Sequence, residues 1–163
     1  MKKMLKWGFV VLVVLFLGAQ AFQPDRTNPP VDETQTIYAS LHVPLEVRSI
    51  LERSCNDCHS HQTIWPWYSY VAPTSWLTAS DVQTGRRMLN LSTWGTYKKS
   101  RMLNKLDQIS DQLSDGKMPL RKYLLMHPNA KLSKAEVDLV TSWAEKERDR
   151  LMGADSTDAP EKK

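Results

Sequence analysis

The chain holds two cysteines, Cys55 and Cys58, and His59 follows the second directly, giving Cys55-Asn56-Asp57-Cys58-His59. Two thiols on one turn of chain can each add to a vinyl group along one edge of a porphyrin. The adjacent imidazole then lies under the ring, within reach of its iron. The spacing predicts one covalently attached haem of the c type, with His59 as an iron ligand. Two rivals use the same residues. A thioredoxin-like redox pair needs a βαβ setting, and no alternating strand pattern of useful length is visible. A structural zinc needs a second compact pair of ligands, and His42, His61 and His127 are not so paired.

The ligand on the other side of such a ring must arrive on a loop. Gly116-Lys117-Met118-Pro119 supplies one, 60 residues beyond Cys58, so Met118 is the first candidate. His127, before Pro128, is the runner-up. His61 sits too near His59 to reach the opposite face, and a vacant position is the remaining alternative. His42, Met88, Met102 and Met126 read as packing or surface residues. Five aromatic residues follow the attachment run closely: Trp65, Trp67, Tyr68, Tyr70 and Trp76. They could wall the haem from water and tune its potential, or form a plain aromatic core. Arg86 and Arg87 could pair with haem propionates, or simply lie on a solvated helix face.

Helices must hold these residues. Pro44 to Ser54, with Val47, Ile50 and Leu51 on one face, predicts a helix running straight into Cys55. Ser75 could cap a second helix ending near Asn90. Met102, Leu103, Leu106, Ile109 and Leu113 repeat at helical spacing and stop at Gly116. Ser133 and Glu136 form a capping-box pattern, and the helix they open carries Val137, Val140, Trp143 and Ala144 to about Leu151. The expected fold is all-α, in one domain over residues 41–151, with the first and last of these helices packed together.

Residues 1–22 begin with Lys2, Lys3 and Lys6, then run uncharged from Trp7 to Ala19. That is the form of an export segment, and Ala19-Gln20-Ala21 fits a cleavage site. The run is a little short for a comfortable membrane span, and both a cleaved signal and an uncleaved anchor remain open. Residues 23–40, rich in Pro, Asp and Thr, read as an extended tether, and 152–163 as a disordered polar tail. The net charge of +4 comes mostly from the three leading lysines; without them 19 basic residues face 18 acidic ones. No basic stripe is present to follow phosphates, so nucleic acid is not an expected partner.

The plan of helix, Cys-x-x-Cys-His, helical middle, Met118-Pro119 and Leu132-Ser133-x-x-Glu136 helix resembles a class I cytochrome c. More closely, the chain resembles the small bacterial haem-binding domain family. The resemblance rests on Cys55–Ser60, Trp65-Pro66-Trp67-Tyr68-Ser69, Ala72-Pro73-x-Ser75-Trp76-Leu77, Gly85-Arg86-Arg87 and Leu89-Asn90-Leu91-Ser92-x-Trp94, within residues 40 to 147. It implies haem binding more firmly than any reaction. No catalytic acid–base constellation stands out. The expected role is therefore electron transfer with redox partner proteins on the periplasmic side of the bacterial inner membrane. A ligand-binding or sensing haem protein, or an accessory unit of a peroxidase-like system, is the alternative.

Overall fold

The computed structural model describes residues 1–153, and those residues contain helices and turns but no β-strand. In chain order the helices are α1 (Lys2–Ala19), α2 (Ile37–Ser40), α3 (Leu45–Ser54), α4 (Asn56–His59), α5 (Thr74–Met88), α6 (Lys99–Ser114), α7 (Arg121–Leu124) and α8 (Lys134–Gly153). The all-α expectation holds. Residues 154–163 of the polar tail lie outside the described residues, while Met152 and Gly153 extend the last helix past its expected end.

α6 and α8 pack along each other and form the main frame, and α3 lies across α8. The reason is visible in the pattern: Leu106, Ile109 and Leu113 of α6 share one buried stripe, and Val140, Trp143 and Ala144 of α8 share another. Val47, Ile50 and Leu51 of α3 complete the cluster, with Ile37, Leu91 and Trp94 packed in. Trp143 is 5% exposed, and its indole N–H donates to the His42 carbonyl at 2.9 Å. This gives the polar end of a large apolar side chain a partner inside the core.

Helix ends follow local chemistry in two places and depart from it in one. Ser133 and Glu136 form the expected reciprocal cap: the Ser133 N–H donates to Glu136 Oε2 at 2.8 Å, and the Glu136 N–H to Ser133 Oγ at 3.3 Å. α6 ends where Gly116 takes φ +63°, a left-handed backbone that glycine adopts without strain. The Lys117 and Met118 N–H groups then turn back onto the Gln112 carbonyl, which sets the direction of the Met118 loop. Ser75, by contrast, caps nothing. α5 begins one residue earlier, and the Ser75 side chain is fully buried within the helix.

The stretch read as a tether is extended over residues 23–32 and lies against the domain as a strap. Arg26 donates to the Ser69 carbonyl at 3.2 Å, and its guanidinium covers the Tyr70 ring. The Asn28 side-chain amide donates to the Thr63 carbonyl at 2.8 Å.

Candidate cofactor-binding site

α3 breaks at Cys55, whose φ/ψ of −124°/−37° leaves the helix, and a single new turn, α4, carries Cys58 and His59. α5 is pressed against that turn. It can come so close because residue 85 is glycine: a Cβ there would collide with the Cys58 carbonyl oxygen and crowd the Cys58 Cβ at 3.1 Å. The close approach puts two carbonyls of the α5 end beside His59. Its Nδ1 lies 3.1 Å from the Gly85 oxygen and 3.0 Å from the Leu89 oxygen. Two acceptors require Nδ1 to carry the proton, so Nε2 keeps its lone pair. Burial also pushes the imidazole pKa down, outweighing the two carbonyl bonds. His59 is thus held neutral and oriented, with Nε2 able to ligate a metal.

His59 lines a cleft of about 320 Å3 between α3, α5, α6 and the Met118 loop. Its walls are Leu51, Leu89, Leu91, Ile109, Leu113 and Pro119, with Cys55 and Met118 also facing in. Met88 is 58% exposed and borders the same cleft. The polar edge comes from Ser54 and from Lys105, Gln108 and Gln112 of α6. Lys105 donates to Gln108 Oε1 at 2.6 Å, and burial lowers its pKa.

On the other side of α4 lies a second cavity of about 290 Å3, lined by Asp57, Cys58, Trp67, Tyr68, Tyr123 and His127 among others. Six of its polar side chains are paired within the protein. The Tyr123 hydroxyl donates to Asp57 Oδ2 at 2.8 Å, Tyr68 Oη lies 2.6 Å from His127 Nε2, and Lys122 pairs with Asp81 at 2.7 Å. The His127 ring also stacks on Tyr123, with centroids 4.2 Å apart.

The structure therefore brings together Cys55, His59 and Met118, and places the other expected site residues elsewhere. Cys58 faces the second cavity, so joining both sulfurs to one porphyrin edge requires its side chain to turn toward the cleft. Trp67 and Tyr68 border that second cavity. Trp65 is half-buried away from the cleft, and Trp76 donates its indole N–H to the Phe22 carbonyl at 2.5 Å. Arg86 is occupied by the fold: Nε donates to the Ser60 carbonyl at 2.8 Å, and Nη2 to Asn28 Oδ1 at 2.7 Å and Thr63 Oγ1 at 2.9 Å. In this structure the aromatic residues and Arg86 therefore lie outside the cleft that holds His59 and Met118. α5 packs on the Cys58 side of α4, so the loop joining α4 to α5 must cover that side and not the cleft.

Sequence reasoning missed the carbonyls of Gly85 and Leu89, which orient His59. It also missed the polar border of the cleft, although Lys105, Gln108 and Gln112 recur at i, i+3 and i+7 beside the apolar stripe of α6.

The family model of the haem-binding domain matches residues 14–146. The chain belongs to the haem-binding domain family. The match starts inside α1, so the end of that helix and the whole strap lie within the matched domain. Comparison with the curated proteins and with the solved structures found no match.

The residues present fit a haem. The cleft is apolar on its walls, polar along one edge, and offers an imidazole nitrogen and a thioether. The rival chemistries fit poorly. Burial pushes the Cys55 thiol up to about 12 and the Cys58 thiol up to about 11, the reverse of a reactive redox pair. Among the described residues no three His, Cys, Asp or Glu side chains gather as a metal cluster would require.

Proposed function

We propose that this haem-binding domain holds one haem c through Cys55 and Cys58, ligates its iron with His59 and Met118, and transfers electrons between redox partner proteins on the periplasmic side of the bacterial inner membrane. One observation carries the reading: His59 and Met118 face the same cleft, while His127 lines the other cavity with its Nε2 against Tyr68. A bound haem supplies one-electron exchange between ferric and ferrous iron. The chain's own residues supply the rest. The Gly85 and Leu89 carbonyls fix the His59 ring. The turn after Gly116 presents the Met118 sulfur, a soft ligand that favours the ferrous state and raises the potential. Leu51, Leu89, Leu91, Ile109 and Leu113 exclude water, which strengthens both effects. Cys55, His59 and Lys105 are the titratable residues on the cleft wall, and no carboxylate accompanies them. That lining suits outer-sphere electron exchange and offers no acid–base pair for substrate chemistry.

The test is spectroscopic. Wild-type protein made with the haem-attachment machinery keeps its haem through acid–acetone extraction and shows a six-coordinate iron that ignores carbon monoxide. Met118→Ala opens the iron to carbon monoxide and lowers the potential, and His127→Ala leaves the spectrum unchanged. Haem lost on extraction would remove the covalent assignment. Carbon monoxide binding by His127→Ala and not by Met118→Ala would overturn the ligand assignment. If wild-type protein binds carbon monoxide as readily as Met118→Ala does, the role is ligand binding and not electron relay.

A further inference from the structure

Two exposed apolar regions of the molecule meet at one joint. The first is α1, whose side chains from Lys2 to Gly18 are exposed all round. The second is a face of the domain bearing Phe22, Trp67, Tyr70, Trp76 and Leu77, which are 74%, 71%, 53%, 42% and 49% exposed. Solvated apolar surface of this extent marks a place where something sits.

The joint is fixed by hydrogen bonds. Gln20, just past the end of α1, clasps the Ala72 peptide from both sides: its Oε1 accepts from the Ala72 N–H at 2.9 Å and its Nε2 donates to the Ala72 carbonyl at 3.3 Å. Two residues on, the Trp76 indole N–H closes on the Phe22 carbonyl. Arg26 then holds the Ser69 carbonyl and covers Tyr70. Cutting after Ala21 would remove Gln20 and undo the first of these contacts.

The helix is too short to act alone, since none of the described helices is long and apolar enough to cross a membrane. Its uncharged part, Trp7 to Ala19, reaches only about 20 Å at 1.5 Å per residue, against about 30 Å of hydrocarbon. A short apolar helix is best buried when the domain attached to it is drawn down to the bilayer surface. The residues that such a pull would bring to that surface are aromatic, with amphipathic Trp and Tyr rings of the kind that settle at the headgroup level. A lipid surface covers the helix and this face together.

We propose that α1 is retained and that it and the Phe22–Trp67–Tyr70–Trp76–Leu77 face form one rigid membrane-seating unit, with α1 inserted in the bilayer and the face bedded in the interface. This rests on the exported, membrane-side reading above but not on the haem or its ligands. It fixes the orientation of the whole domain, because the same strap that leaves the joint is bolted to the attachment loop through Asn28, Thr63 and Arg86.

The test is lipid crosslinking on the full chain. The protein is reconstituted into phosphatidylcholine–phosphatidylglycerol vesicles doped with a phosphatidylcholine carrying a photoactivatable group near the glycerol end of its acyl chain, and adducts are mapped by peptide mass spectrometry. Adducts are expected on α1 and, in similar yield, on Phe22, Trp67, Trp76 and Leu77, several-fold above those on Leu45 and Leu125, which are 77% and 81% exposed. The double variant Trp67→Ser, Leu77→Ser changes two side chains outside the buried core and should lose the adducts on the face while keeping those on α1. Adducts confined to α1 in the wild-type chain would overturn the proposal. So would chain-to-chain crosslinks through the face, which would make a second copy its occupant, or protein from bacterial membranes that begins at Phe22. Haem retention and the carbon monoxide spectrum are read on the same sample, so failure here is separable from failure of the electron-transfer reading.

Discussion

The two sides of α4 differ in how their polar groups are used. On the cleft side a neutral imidazole, a thioether and a thiol face an apolar space, and the imidazole nitrogen directed there is left without a protein partner. On the other side Asp57, Tyr68, Tyr123 and His127 sit in a cavity of similar size, and each has its partner within the protein. Volume alone would not separate these two spaces. What separates them is satisfaction: a buried donor or acceptor already paired costs little and asks for nothing, while an oriented group left open is poised for a ligand.

The largest test of this comparison is on the frame behind the cleft. Trp143→Ala should cost about 3–5 kcal/mol in denaturant unfolding, by cavity formation and loss of the bond to the His42 carbonyl. A loss under about 1 kcal/mol would mean that α8 does not frame the site as described. Next, Gly85→Ala pushes α5 off α4 and should cost about 1–3 kcal/mol by overpacking. It should also shift the haem absorption bands, because the His59 acceptors move with the helix. Stability lost with an unaltered spectrum would show that the two carbonyls do not orient the ligand.

Tyr68→Phe sharpens the contrast from the other side. It removes one hydrogen bond and should cost about 0.5–1.5 kcal/mol with no change at the iron. A spectral change there would break the division between the two cavities. The smallest effect is expected far from both. Glu136 is held at about 2 by the Ser133 N–H, with the Arg53 side chain and the Ser133 hydroxyl adding to it. The folded value lies below the ordinary 4.5, so the stabilisation is complete above about pH 4.5 and is lost as pH falls toward 2. Glu136 is partly solvated, so Glu136→Gln should cost about 1 kcal/mol or less at pH 7 and flatten that acid limb. An unchanged acid limb in urea titrations would remove the cap from the account.

The sequence carried some of this and hid the rest for physical reasons. Periodicity exposed α3, α6 and α8, since each buries one stripe against the others. The Ser133–Glu136 cap and the Gly116 stop were local and therefore readable. Ser75 looked like a cap by residue type, but its hydroxyl lies inside the helix. His59 was readable from its neighbours, but the carbonyls that orient it were not, because backbone acceptors leave no trace in residue types. The tryptophans announced an apolar object without saying on which side of α4 it lay; that follows from where α5 docks, which Gly85 alone permits. The strap was read as a tether because its Pro, Asp and Thr favour extended chain, and its anchors are distant in sequence.

That distance governs the order of assembly. Asn28 waits for a partner 58 residues later, and Gln20 for one 52 residues later. Synthesis at roughly 5–20 residues per second leaves the strap unsecured for several seconds after it is made. During that interval Cys55, Cys58 and His59 emerge before α5 exists to press on them. The strap is made early and is secured only when α5 has arrived, which is also when His59 gains its two carbonyl partners. The Cys55–His59 turn is therefore most open before α5 docks, and stiffens once that helix has arrived.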